Sequence, residues 1–340
     1  MTQKTWDAAK DTTFAAITLQ NTNGGKLKLT NYGASIVSLE IPNKENKLVN
    51  VVLGLETVNE YKEVSYHPSA KFLGASIGRY AGRISNGGFE LDGNKYEIHQ
   101  NNGVHLHGGY EGFDKKIWRV DSINHDTNTA IFSYNSRHLE EGYPGNLKVK
   151  AIYHLSEDND LTITYKAVSD IDTVVNLTNH AYFNLNGSGD ILDHTLLLDC
   201  PEYLEVDTKQ LPTGKTKSVT GTKFDFLTST SLRRLINSGH IDDTFIFNMN
   251  KSSHNRISLE SSVSGLKMEV KTNQPAVVIF TPENFPDWNF KDQVKYDRFP
   301  AICFETQNYP DAPNHKHFPS SLLKAGKHYE NKSVFKFSVV

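Results

Sequence analysis

Cysteine is nearly missing from this chain of 340 residues, where Cys200 and Cys303 stand alone. Two thiols in apolar text (LLLDC and AICFE) exclude a disulfide framework and read as reduced core side chains, with no chemistry assigned to either. An excess of one charge is missing too. With 36 basic and 39 acidic residues interspersed, the formal charge is −3, which leaves no electrostatic footprint for nucleic acid or an anionic membrane surface. No run of about 18 apolar residues offers a membrane helix, and the start, MTQKTWDAAKDTTF, carries no apolar secretion core. These absences point to a cytoplasmic protein whose partner is a neutral small molecule.

Helical text is scarce. The best stretch is LTSTSLRRLINSG (227–239), where Ser or Thr can cap and Gly239 can stop a short helix. The scarcity of helix excludes βαβ alternation, and without a Walker-type loop, a GxGxxG, a fixed-period repeat or a low-complexity linker, Rossmann domains, propellers and strings of domains lose ground.

What the chain has instead is short segments that alternate polar and apolar residues. FELDGNKYEI (89–98) sets Asp92-Gly93 between two strand-like runs, the chemistry of a type I′ hairpin turn. LKVKAIYHL (147–155), the polar SEDND, and LTITYKAV (161–168) repeat the pattern, as do RISLESSV, LKMEVKTN and VFKFSVV. A two-residue period buries one face and wets the other. The expectation is an all-β fold, a large antiparallel β-sandwich forming one domain over 1–340, with a ligand cleft floored by the polar face of one sheet.

Four segments break the alternation with polar residues. GRYAGRISNGG (78–88) holds Arg79 and Arg83 among glycines, either as solvated turn residues or as guanidinium groups brought close to a ligand. In NNGVHLHGG (101–109), His105 and His107 share a side if the segment is a strand. An HxH lacks the third ligand a metal site needs, so these are read as hydrogen-bonding histidines, with no metal. NLTNHAYFNLNG (176–187) places Asn176, Thr178, His180 and Tyr182 on one alternate set, a run of hydrogen-bonding groups that suggests a polar cavity. GHIDDTFIF (239–247) carries Asp242 and Asp243, as turn residues or with one facing a ligand. Finally, ICFETQNYPDAPNHKHFP (302–319) leaves Glu305 at the end of an apolar strand.

Taken in order, GRYAGRI, LHGG, NLTNHAYFNL, the Asp-x-x-Phe of DDTF and FETQNYPDAPN resemble the galactose mutarotases, or aldose 1-epimerases, over nearly the whole chain from about Asn31. The resemblance implies a galactose mutarotase-like β-sandwich that interconverts the α and β anomers of hexoses such as galactose and glucose, without a cofactor. It implies His180 as general acid, Glu305 as general base, and Arg83, His107 and Asp242 as ligands of the sugar oxygens. Two positions depart from the pattern: Gly82 stands where many relatives have Asn, and Val278 where some have Gln.

The residue types suit that chemistry. Exchange of anomers breaks C1–O5, rotates about C1–C2 and closes the ring again. A base that takes the O1 proton while an acid protonates O5 avoids building either charge, and each such group contributes typically 10²–10⁴-fold. Histidine, which ordinarily titrates at about 6.5, can donate, and a glutamate carboxylate, at about 4.3, can accept. A direct His180–Glu305 ion pair would satisfy both groups, so a gap between them is expected, with Tyr182 or Phe183 against the apolar face of the sugar. Three other readings stand beside this one. A glycoside hydrolase would use Asp242 with Glu305, a sugar-phosphate epimerase would need extra cations such as Arg79 at the cleft mouth, and a carbohydrate-binding protein would not catalyse.

Overall fold

The two-residue alternation is realised as two large antiparallel sheets in the computed structural model, which describes residues 14–67, 72–248 and 257–340. One sheet has nine strands in the order Arg119–Asn124, Thr129–Ser136, Leu147–Leu155, Leu161–Ser169, His328–Val339, Leu266–Thr272, Ile257–Ser261, His194–Leu198 and Thr230–Ser231. The other has six, in the order Tyr182–Phe183, Ile302–Gln307, Ala276–Phe280, Asp242–Ile246, Glu202–Val206 and Pro212–Ser218. A four-stranded sheet formed by residues 16–50 adds its apolar face to the same core.

Local turn chemistry behaves as the sequence dictates. Gly88–Leu91 pairs with Asn94–Glu97 across Asp92 and Gly93, both at positive φ as a type I′ turn requires. Along Leu147–Leu155, Leu147, Val149, Ala151, Tyr153 and Leu155 are buried while Lys148 and Lys150 are exposed, and Leu147 pairs with Ser169 across the hairpin. The 227–239 stretch contains a 3-10 turn and a four-residue helix, Leu235–Ser238. Ser231 accepts the Arg233 N–H and Gly239 ends it at φ +76. The sequence pattern did not disclose a longer helix, Val58–Ser65, which buries Tyr61 and starts where the Glu60 carboxylate accepts the Thr57 N–H at 2.7 Å.

The six-stranded sheet is two-faced, and this is what positions the site. Ile302, Phe304, Val277, Ile279 and Phe245 point into the common core, each worth about 1.5–3 kcal/mol of burial. Across the gap, Phe183 stacks on Phe335 of the nine-stranded sheet with centroids 5.2 Å apart. The alternate residues, Cys303, Glu305, Val278, Thr244 and Asp242, therefore project from the opposite face, with Glu305 beside Val278 and Val278 beside Thr244.

Two expectations fail here for one reason: the polar segments are not continuous strands. Residues 176–183 break into two-residue strands, Thr178–Asn179 and Tyr182–Phe183. Asn176 donates to Ala81 O and Asn308 O, and Thr178 donates to Thr306 O, so these side chains brace backbone instead of lining a polar cavity. Likewise the strand His105–Leu106 stops before His107, which sits at φ +50. His105 and His107 therefore do not share a side. His105 is buried between Tyr143 Oη at 2.6 Å and His99 O at 2.5 Å.

Arg79 is structural. It is 2 % exposed and donates to Ser136 Oγ, Pro144 O and Arg137 O, tying down the 136–144 loop, and burial pulls its pKa down to about 10. Arg79→Met keeps the bulk and leaves buried acceptors unpaired, so it should cost about 3 kcal/mol or more in denaturant unfolding. A loss under about 0.5 kcal/mol, the range of an ordinary surface substitution, would show the network to be incidental.

Candidate active site

Antiparallel register assembles the centre of the site. Tyr182 pairs with Cys303 and Phe183 with Ile302. Two residues back from Tyr182 and two forward from Cys303 lie His180 and Glu305, so the pairing that locks the strands also sets these side chains opposite each other. They are 3 % and 2 % exposed, and His180 Nε2 lies 3.4 Å from Glu305 Oε1. The expected gap is therefore absent: the two side chains are in contact. The length of that contact exceeds the 2.7–2.9 Å of a charge-assisted hydrogen bond, and Glu305 Oε2 has no hydrogen-bond partner among the described residues.

Glu305 opens on a cleft of about 420 Å³ whose lining includes Arg83, His107, Asp242, Thr244, Val278 and Gly82. Arg83 comes from the short strand Arg83–Ile84, which pairs with His105–Leu106 and is clamped by the Asp311 N–H donating to Arg83 O at 2.7 Å. Its guanidinium meets Asp242 Oδ2 at 3.3 Å, with each side chain about a quarter exposed. Asp243, the next residue on the strand, turns to the other face and is buried. His107 N donates to Gly82 O at 3.0 Å, and Gly82 N donates to His107 Nδ1 at 3.2 Å.

Both departures noted in the sequence fall on this lining. Gly82 adopts φ +79, and a Cβ there would come within 2.9 Å of the Pro310 ring, so glycine permits the fold-back that holds His107. Val278 sets an apolar side chain directly across from Glu305.

Burial pushes the Glu305 carboxyl well above the usual carboxylate range, the neighbouring Asp242 adds to the rise, and Arg83 opposes it. Burial pulls His107 well below the ordinary histidine value, helped by His180 and Arg83. His107 is thus a neutral ring. Because its Nδ1 accepts from Gly82, its proton sits on Nε2, where it is a donor. Nitrogen or oxygen atoms of His107, His180 and Glu305 all lie within 4.8 Å of one another. A ring in this tautomer offers that space a hydrogen-bond donor, whereas a metal ligand must offer a lone pair.

All five residues singled out in the sequence are thus brought together. Phe72 escaped notice: at φ +56 it lays its ring 4.8 Å from His107 and 5.6 Å from His180. Pro310, at the head of the PDAPN loop, forms cleft wall, and Cys303, read from the sequence only as a core thiol, sets its Sγ 3.6 Å from His180 Nδ1. The period-two rule places Cys303 on the face of Glu305 and could have flagged it. Nothing local marks Phe72. Of the two aromatics expected near a sugar, Tyr182 packs against His180 at 5.0 Å, whereas Phe183 belongs to the core on the opposite face.

A histidine in contact with a buried carboxylate, beside a cleft lined by Arg83, His107 and Asp242 on a β-sandwich, is an arrangement suited to acid–base chemistry on a polar ligand. Comparison with known proteins makes the assignment definite. The aldose 1-epimerase family model matches residues 15–336, and the chain belongs to that family. It is 37 % identical over 322 residues to the galactose mutarotase of Bos taurus, covering 92 % of this chain and 91 % of the relative. It is 36 % identical over 348 residues to the aldose 1-epimerase of Haemophilus influenzae, covering 98 % and 99 %. The crystal structure of an aldose epimerase homologue from C. elegans superposes with a TM-score of 0.88 at 31 % identity, over 96 % of this chain and 100 % of that one. The chain is an aldose 1-epimerase, an isomerase.

The raised Glu305 has a consequence for stability. Its folded pKa lies above the unfolded value near 4.5, so the native state binds this proton more tightly. The associated stability is complete below about pH 4.5 and is lost as pH rises through the folded value. Glu305→Gln should accordingly unfold at higher denaturant than wild type at pH 8, with the difference closing toward pH 4. A variant that is less stable than wild type at pH 8 would refute the sign.

Proposed function

We propose that this enzyme interconverts the α and β anomers of free hexoses, galactose and glucose among them, with His180 as general acid and Glu305 as general base. The observation that carries the reading is Glu305 Oε2, a buried carboxylate oxygen without a partner among the described residues beside an open cleft, with a histidine against its other oxygen. A carboxylate whose pKa is raised is a stronger base, suited to the weakly acidic O1 proton. Sugar entry parts His180 from Glu305, so that Glu305 takes the O1 proton as His180 protonates O5 and C1–O5 opens. After rotation about C1–C2, both protons return as the ring closes on the other face. His107 Nε2–H and the Arg83–Asp242 pair hold sugar hydroxyls, which donate and accept at once.

The rival readings lose support on particular contacts. Arg79, the spare cation a sugar phosphate would need, is buried against backbone carbonyls. Asp242, the second carboxylate a glycoside hydrolase would need, is engaged with Arg83. The same reading takes the chain as one domain, supported by a core running from Ile17 to Phe337, and as cytoplasmic, supported by two free buried thiols.

Optical rotation of freshly dissolved α-galactose and α-glucose tests the roles. His180→Asn and Glu305→Gln should each lower the enzymatic rate by about 10²–10⁴-fold, and wild type should release no nitrophenol from nitrophenyl galactoside. Wild-type rates in either variant would remove that residue from the chemistry, and nitrophenol release would favour the hydrolase.

A further inference from the structure

Cys303 has no role in the acid–base cycle as drawn, yet it faces the site. It is fully buried, it is the register partner of Tyr182, and its Sγ lies 3.6 Å from His180 Nδ1, within reach of a sulfur hydrogen bond. The two ring nitrogens of His180 are thus met by different partners, Cys303 at Nδ1 and Glu305 at Nε2. The rings of Tyr182 and Phe72 also pack against the imidazole, at 5.0 and 5.6 Å and at 32° and 34° to its plane.

We propose that Cys303 is a positioning residue for the acid step: its thiol holds Nδ1 of His180 and so keeps Nε2 directed at the ring oxygen of the sugar. This rests on the reading of His180 as the acid. Following the protons shows why a thiol suits the place. When the imidazolium gives its Nε2 proton to O5, the remaining proton stays on Nδ1 and the sulfur accepts from it. When the ring closes and O5 loses its proton to Nε2, the Nδ1–H···S contact is unchanged, so nothing is consumed. A carboxylate at position 303 would grip Nδ1–H strongly, stabilise the imidazolium and make it a poorer acid. Sulfur is a weak acceptor, which orients the ring while leaving its acidity nearly intact. Burial and the charges of Glu305 and Asp242 push the thiol pKa well up, so it stays an uncharged S–H near neutral pH.

The test compares Cys303→Ala, Cys303→Ser, Cys303→Asp and His180→Asn by kcat, KM and pH profile on α-galactose. Cys303→Ala should lose about ten- to a hundredfold in kcat with KM nearly unchanged, Cys303→Ser should recover most of it, and Cys303→Asp should move the limb governed by the acid to higher pH. A folded Cys303→Ala with wild-type kcat and pH profile, beside an inactive His180→Asn, overturns this inference alone. An active His180→Asn overturns the acid assignment and this inference with it. Should Cys303→Ala not fold, nitrogen NMR of the His180 ring decides the matter. The Nδ1 signal should shift between wild type and Cys303→Ser, and identical signals would contradict the contact.

Discussion

Antiparallel pairing of Tyr182 with Cys303 is the constraint on which the site depends. It joins the short strand after the NLTNHA segment to the strand carrying Glu305, and through the two-residue period it fixes which residues face the cleft. A slip of one residue would send Glu305 into the apolar core and bring Phe304 or Thr306 to the cleft floor. The core faces of the same strands, with Ile302, Phe304, Val277, Ile279 and Phe245, make such a slip prohibitively costly. Stability and placement of the Glu305 carboxylate are therefore one property of the sheet, read from its two sides.

The site concentrates groups that the fold would otherwise avoid. Glu305 is buried next to Val278, near Asp242, and left with one oxygen unpaired among the described residues, an arrangement that destabilises its charged form. Gly82 accepts a backbone conformation that L side chains resist so that its N–H can fix the His107 tautomer. Arg83 is the counterweight, opposing the rise in Glu305 while holding Asp242. These compensations are local, and around them Arg79, Asn176 and Thr178 spend their hydrogen bonds on backbone and give the cleft rigid walls.

Much of this was legible in the sequence because it follows from short-range rules. The Asp92-Gly93 turn, the hairpin joining 147–155 to 161–168, and the all-β class rest on alternation and turn chemistry, and the structure keeps them. The five residues proposed for the site were singled out through motifs, and the structure brings them together. What was not legible depends on where strands end. His105 parts from His107 because a strand stops at Leu106, and the expected gap between His180 and Glu305 vanishes because segments distant in sequence bring the two side chains into contact. Phe72 and the Val58–Ser65 helix were missed as well: the first acts through a tertiary contact, and the second is a short amphipathic piece set into β-rich text.

The central claim is that a sugar's anomeric carbon is worked on between His180 and Glu305, which touch at 3.4 Å here. A crystal structure with bound galactose measures this directly. The account predicts O1 within hydrogen-bond distance of Glu305, O5 within hydrogen-bond distance of His180 Nε2, and the two side chains moved apart to admit the ring. A sugar bound elsewhere in the cleft, with His180 and Glu305 still in contact, would contradict it.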